Sequence, residues 1–181
     1  MVFGLFRQKK HNRIIVDRQY AVLSSTARGP HFYTDLDVPD TVMGRFEMFC
    51  VIMILYFRRT RRSQASGKAV AQAIVDAFFQ DIDYSIRELG IGDPGVPKRM
   101  KKLASMFYGR LESYGAALEN ADGELLATAL RRNIYPQPEA GAPAMAALAG
   151  WMISTDVALA VIGEDLVETG AVAIPVPGGT N

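Results

Sequence analysis

Residues 42–62 read VMGRFEMFCVIMILYFRRTRR. From Met48 to Phe57 every residue is apolar, so this segment has to be covered on several sides. Ten residues are about half of a membrane span, and the stretch therefore reads as a core helix. Just upstream, LDVPDT interrupts the chain at Pro39 and offers Asp40 or Thr41 as a helix cap. The expectation is a helix from Val42 to Arg62 at the centre of a helical domain.

The flanking sequence supplies partners for it. A helix is expected from Arg13 to Ala27, closed by Gly29-Pro30. A second covers Lys68 to Leu89, with the stripe Val70, Ile74, Ala77, Phe78, Ile82, Ile86 at helical spacing. Gly90 is expected to end it as a left-handed cap. A third starts at Pro97, a residue suited to a first helical turn, and runs to Glu119 with Met100, Leu103, Phe107, Leu111, Tyr114 and Leu118 inward. Asp122 caps a shorter helix reaching Asn133. The last helix, or two joined near Ser154, spans Ala144 to Glu168. No run of alternating polarity marks a strand. The expected fold is all-α, a single bundle of six to seven helices. Its organisation is a flexible N-terminal segment (1–12), a helical domain (13–135), a Pro-rich linker (136–143), a C-terminal helical region packing on the domain (144–170) and a loose tail (171–181).

Composition narrows function mainly by exclusion. The chain has 181 residues, one cysteine and two histidines. Cys50 alone forms no disulfide framework, and a multi-cysteine or histidine-rich metal site is ruled out. Cys50 itself lies in the apolar run and reads as an inert core thiol. The formal charge of +1 is unevenly spread. All 20 basic residues and 14 acidic ones fall in 1–133, a net of +6; residues 134–181 carry five acids and no base, a net of −5. The two parts either attract each other or leave a positive face for an anionic partner. The N-terminus MVFGLFRQKKHNR has too short an apolar stretch for a secretory signal. The Ala-rich stretch 144–163 carries Asp156 near its middle and no flanking base, and reads as buried in protein.

Several patterns look functional until their context is read. Gly90, Gly92 and Gly95 match G-x-G-x-x-G, but a helix and not a strand precedes them, which favours a helix cap and turn. Glu47, Asp81 and Asp83 are the carboxylates an enzyme reading would need; they read instead as structural ion pairs. Asp83 stands four residues before Arg87, the favourable spacing, and Asp81 is expected to meet Arg45. Arg45 and Glu47 open a helix otherwise nearly all apolar, so both need partners. Gly109, in mid-helix, is expected to permit close helix contact or a kink.

Two basic clusters differ. Arg58, Arg59, Arg61 and Arg62 end a helix, where positive charge suits the dipole, and a solvated terminus is the plain reading. Lys98, Arg99, Lys101 and Lys102 open a helix, where positive charge opposes the dipole and Asp93 offsets only part of it. Local stability does not explain that placement, which points to an anionic partner: acidic protein, phosphate backbone or lipid headgroups.

The segments VPDTVMGRFEM (38–48), DIDYSIRELGIGDPGVPKRMKK (81–102), FYGR (107–110) and ALRRNIY (129–135), in this order, resemble the ubiquinol–cytochrome c chaperone family. The resemblance covers about residues 16–135. It implies an all-helical, non-enzymatic assembly factor that needs no cofactor and takes newly made cytochrome b as client for ubiquinol–cytochrome c reductase. The ribosome and the inner-membrane surface are further candidate contacts; DNA is not. The implied location is cytoplasmic or peripheral on the inner membrane, and the lack of a long N-terminal extension suggests a bacterial-type member. The residues carried over as partner-binding candidates are Arg45, Glu47, Asp81, Asp83, Arg87, Lys98, Arg99, Lys101, Lys102, Tyr108 and Arg110. A rival reading makes the chain a helical adaptor for ribosome, RNA or membrane surface through Arg58–Arg62 and Lys98–Lys102.

Overall fold

A computed structural model describes residues 2–88, 95–137 and 141–177. Among these are eight helices and no strand: α1 (Val2–Ala27), α2 (His31–Thr34), α3 (Val42–Thr60), α4 (Ala65–Glu88), α5 (Val96–Glu119), α6 (Gly123–Ile134), α7 (Ala146–Ala160) and α8 (Glu164–Glu168). Six are long, and α2 and α8 are single turns. The all-α bundle expected from the apolar periodicity is the observed fold.

α3 is the central helix. Met48, Cys50, Val51, Ile52, Met53, Ile54, Leu55 and Tyr56 are all fully buried, because α1, α4, α5, α6 and α7 pack around it. Thr41 caps it: its hydroxyl accepts the Gly44 N–H at 3.0 Å. That turn is tight, since a Cβ on Gly44 would lie 1.9 Å from the Pro39 carbonyl oxygen. Asp122 caps α6 by accepting the Leu125 N–H at 2.9 Å. No helix among the described residues is long and apolar enough to cross a membrane.

An aromatic wedge joins α3, α4 and α5. Phe78 meets Phe49 edge-on at 5.0 Å and Phe107 at 5.3 Å, while Phe79 meets Phe107 at 5.9 Å. Such pairs add about 1 kcal/mol each beyond their buried area and hold α4 against α5.

Several boundaries differ from the sequence reading. α1 already begins at Val2, not Arg13. The C-terminal break falls at 161–163, not at Ser154, which lies inside α7. Residues 171–176 are not loose. Val172 is fully buried and Ile174 nearly so, because the Gln19 side chain donates to the Val172 carbonyl at 2.8 Å and accepts the Val172 N–H at 2.9 Å. The expected Gly90 cap, Gly92 of the glycine motif and Asp93 lie outside the described residues; Gly95 is the residue before α5. Gly109 does not serve a close contact, as a Cβ there would meet nothing within 4 Å.

Candidate functional site

The candidate residues divide into a buried structural set and an exposed face. Glu47 and Arg110 form the buried set. Both guanidinium nitrogens Nε and Nη2 donate to the Glu47 carboxylate, and Nη1 donates to the Met106 carbonyl at 2.8 Å. Their side chains are 2% and 7% exposed. Burial pushes the Glu47 carboxyl above its ordinary value, against the pull of Arg110. Two-pronged contact satisfies both ions and sets how α5 lies along α3. Beside them Tyr114 is fully buried and its hydroxyl accepts from Asn133 Nδ2 at 3.0 Å. Cys50 is buried, which drives its thiol far above its usual range and leaves it unreactive.

The remaining acids each sit on a separate partner. Arg45 does not meet Asp81. Its Nε donates to Asp40 at 2.7 Å across the turn before α3, a local exposed pair in place of the expected cross-bundle one. Asp81 accepts the Tyr20 hydroxyl at 2.9 Å, at the edge of an open groove of about 750 Å³ lined also by Ser24 and Arg28. Burial, then the Asp81 hydrogen bond, raise the Tyr20 phenol well above its usual value. Arg87 Nε donates to Asp83 at 2.8 Å, as the spacing predicted. Glu47, Asp81 and Asp83 are therefore held by Arg110, Tyr20 and Arg87 respectively. No group of three or more His, Cys, Asp or Glu that could hold a metal occurs among the described residues.

The two basic clusters have opposite fates. Arg58, Arg59 and Arg61 do not form a solvated terminus, although Arg62 is exposed. Arg58 donates twice to Asp156, at 2.7 and 2.9 Å, and once to Glu119 at 3.1 Å. Arg59 donates to the Ile162 carbonyl at 3.0 and 2.6 Å and to Glu164 at 3.3 Å. Arg61 donates to both Glu119 oxygens. Arg58 and Arg59 clasp Asp156 and Glu164 of the acidic C-terminal region, while Arg61 joins Arg58 on Glu119 of α5, so part of the charge asymmetry along the sequence is neutralised inside the molecule. The adaptor reading loses this cluster. The clasp, together with Gln19, is what sequence reasoning missed residue by residue; the split of +6 and −5 was its one signal.

Lys98, Arg99, Lys101 and Lys102 are all exposed on the first turns of α5, and no ion pair to them occurs among the described residues. α5 has no acid in its first turn and no side-chain cap. Tyr108 is 54% exposed on the same helix.

Comparison with known proteins follows this division. Residues 34–173 match the model of a family described as ubiquinol-cytochrome C chaperone. The match reaches well beyond Tyr135, so the acidic C-terminal region lies within the family's extent and not outside it. The Xenopus laevis protein named ubiquinol-cytochrome-c reductase complex assembly factor 1 is 23% identical over 122 residues, 67% of this chain. The chain spans 60% of that relative's length. The crystal structure of the Cbp3 homolog from Brucella abortus is similar with a TM-score of 0.85 and 44% identity, over 97% of each chain.

Proposed function

The chain belongs to the ubiquinol-cytochrome C chaperone family, and from that premise we propose that it is a non-enzymatic assembly factor for ubiquinol–cytochrome c reductase that holds newly made cytochrome b. The family match over residues 34–173 carries this reading. The arrangement of side chains supports it. The candidate carboxylates are tied up in separate pairs, whereas α4 and α5 present polar and aromatic side chains to solvent. Tyr84, Tyr108, Lys98, Arg99, Lys101 and Lys102 are all exposed on them. Glu47–Arg110 and the aromatic wedge fix α5 and α4 against α3, and a docking element requires such fixed positions.

Deleting the gene tests the reading. The expected result is loss of assembled ubiquinol–cytochrome c reductase and of its b-type haem signal, with other respiratory enzymes intact. Full assembly without the gene would overturn it. Capture of cytochrome b on the tagged chain, before the complex is complete, tests the client.

A further inference from the structure

We propose that the outer face of α5 is a docking surface for an anionic phospholipid membrane. Lys98, Lys101, Lys102, Ser105 and Tyr108 recur at i, i+3, i+4, i+7 and i+10, one face of a helix, and every one is exposed. Arg99 flanks them. At 1.5 Å per residue this face runs about 15 Å. The inward face is set by Val96, Phe107, Arg110 and Tyr114, all buried, so the cationic face cannot turn away from solvent.

Three observations favour a membrane over other anionic partners. The charges are uncommitted, in contrast to Arg58, Arg59 and Arg61, each of which is held by an acid of this chain. Three of the four are lysines, compact point charges suited to a plane of headgroups, without the fork geometry that singles out one phosphate or base. Tyr108 closes the face with its ring braced by Phe79 at 6.3 Å and Phe107 at 5.6 Å. A ring held in this way is a poor platform for stacking a nucleobase, but an amphipathic ring half in protein and half outside suits a headgroup layer. A convex helical face also offers no groove to trap an acidic peptide.

The surface draws on exposed residues that also support the client reading, but client capture and complex assembly are measured separately from lipid binding, so failure of one is told apart from failure of the other. The test is flotation of the full chain with vesicles of phosphatidylcholine alone or with 30% phosphatidylglycerol. Binding to the anionic vesicles only, weakened by high salt, is expected. Each basic residue near such a surface adds about fivefold in partitioning. Replacing Lys98, Arg99, Lys101 and Lys102 with Gln should therefore lower binding by about 600-fold. A control replacing Arg62, Lys68, Arg131 and Arg132 with Gln removes the same charge elsewhere and should bind nearly as wild type. Equal losses in both variants would mean attraction by net charge alone and overturn the proposal, as would equal binding to neutral vesicles. Failure to bind vesicles, with Lys98-dependent binding to single-stranded RNA instead, would overturn it in favour of a nucleic-acid partner. Unchanged helical circular dichroism in both variants confirms that the fold is intact.

Discussion

Glu47 of α3 and Arg110 of α5 face each other 63 residues apart in sequence as a fully enclosed, two-pronged ion pair. The pair lies where an apolar contact would have served the core equally well. Its value is therefore in register: a planar guanidinium accepts a carboxylate in few orientations. The α5 segment that carries Lys98 to Tyr108 inherits its position from that contact and from the Phe107 wedge.

Removing one member of the pair leaves a buried charge without a partner. Arg110→Met or Glu47→Leu should each destabilise the protein by about 3–5 kcal/mol. The double variant Glu47→Leu/Arg110→Met should recover much of that loss, because no charge is then stranded. Urea denaturation followed by circular dichroism measures all three. A double variant as unstable as the singles would mean that the pair contributes directly to stability and not mainly to register.

The ion pairs of Arg58, Arg59 and Arg61 should be sensitive to acid. Arg61, then Arg58, hold the Glu119 carboxyl below its ordinary value of 4.5. For Glu164 burial pushes upward, but the Gln64 N–H, Ser63 and Arg59 outweigh it and the net direction is down. A carboxylate whose folded value is depressed adds stability above its unfolded value, and that stability is lost as pH falls through the folded value. The contribution should accordingly be intact at neutral pH and decline below about 4.5. Trp151, the chain's one tryptophan, donates to the Pro175 carbonyl at 3.2 Å, so its fluorescence reports on this region. Arg58→Lys keeps the charge and loses the fork to Asp156. It should cost about 1–3 kcal/mol and move the acid transition to higher pH.

Gln19 predicts a separate behaviour of residues 171–176. Its amide completes both backbone bonds of Val172. Gln19→Leu would leave the Val172 N–H and carbonyl buried without partners, at about 1–3 kcal/mol. The segment should then detach and become cleavable by protease after 170, while the wild-type chain resists. Equal protease resistance in the variant would show that Ile174 and Val172 hold the segment by apolar contact alone.

The uneven legibility of the chain has a physical cause. The central helix was readable because ten consecutive apolar residues leave no other option than burial, and the caps at Thr41 and Asp122 because capping is local. Helix periodicity points Arg45 at Asp81, but the tight Gly44 turn brings Asp40, five residues back, within reach first. The arginines after Phe57 looked solvated because helix-dipole logic accounts for them locally. Their partners are distant in the sequence: Glu119 about sixty residues on, and Asp156 and Glu164 about a hundred, the latter two visible only as a charge imbalance. The pinned segment at Val172 left no such trace, since one buried glutamine among polar helix residues carries no pattern.

Two glycines give opposite forecasts from one kind of measurement. At Gly44 a methyl group would sit 1.9 Å from the Pro39 carbonyl oxygen, and that oxygen belongs to backbone fixed by the Thr41 cap. Gly44→Ala gains about 1 kcal/mol of helix propensity, but the clash forces the cap turn open and the net effect should be a loss of at least about 2 kcal/mol. At Gly109 nothing lies within 4 Å, and the residue is in mid-helix on the exposed side of α5. Gly109→Ala should therefore stabilise by about 1 kcal/mol, raising the melting temperature by a few degrees. A gain at Gly44 would show that the turn before α3 is soft. A loss at Gly109 would show that α5 bends there in solution, which would also displace Tyr108 from the lysine face.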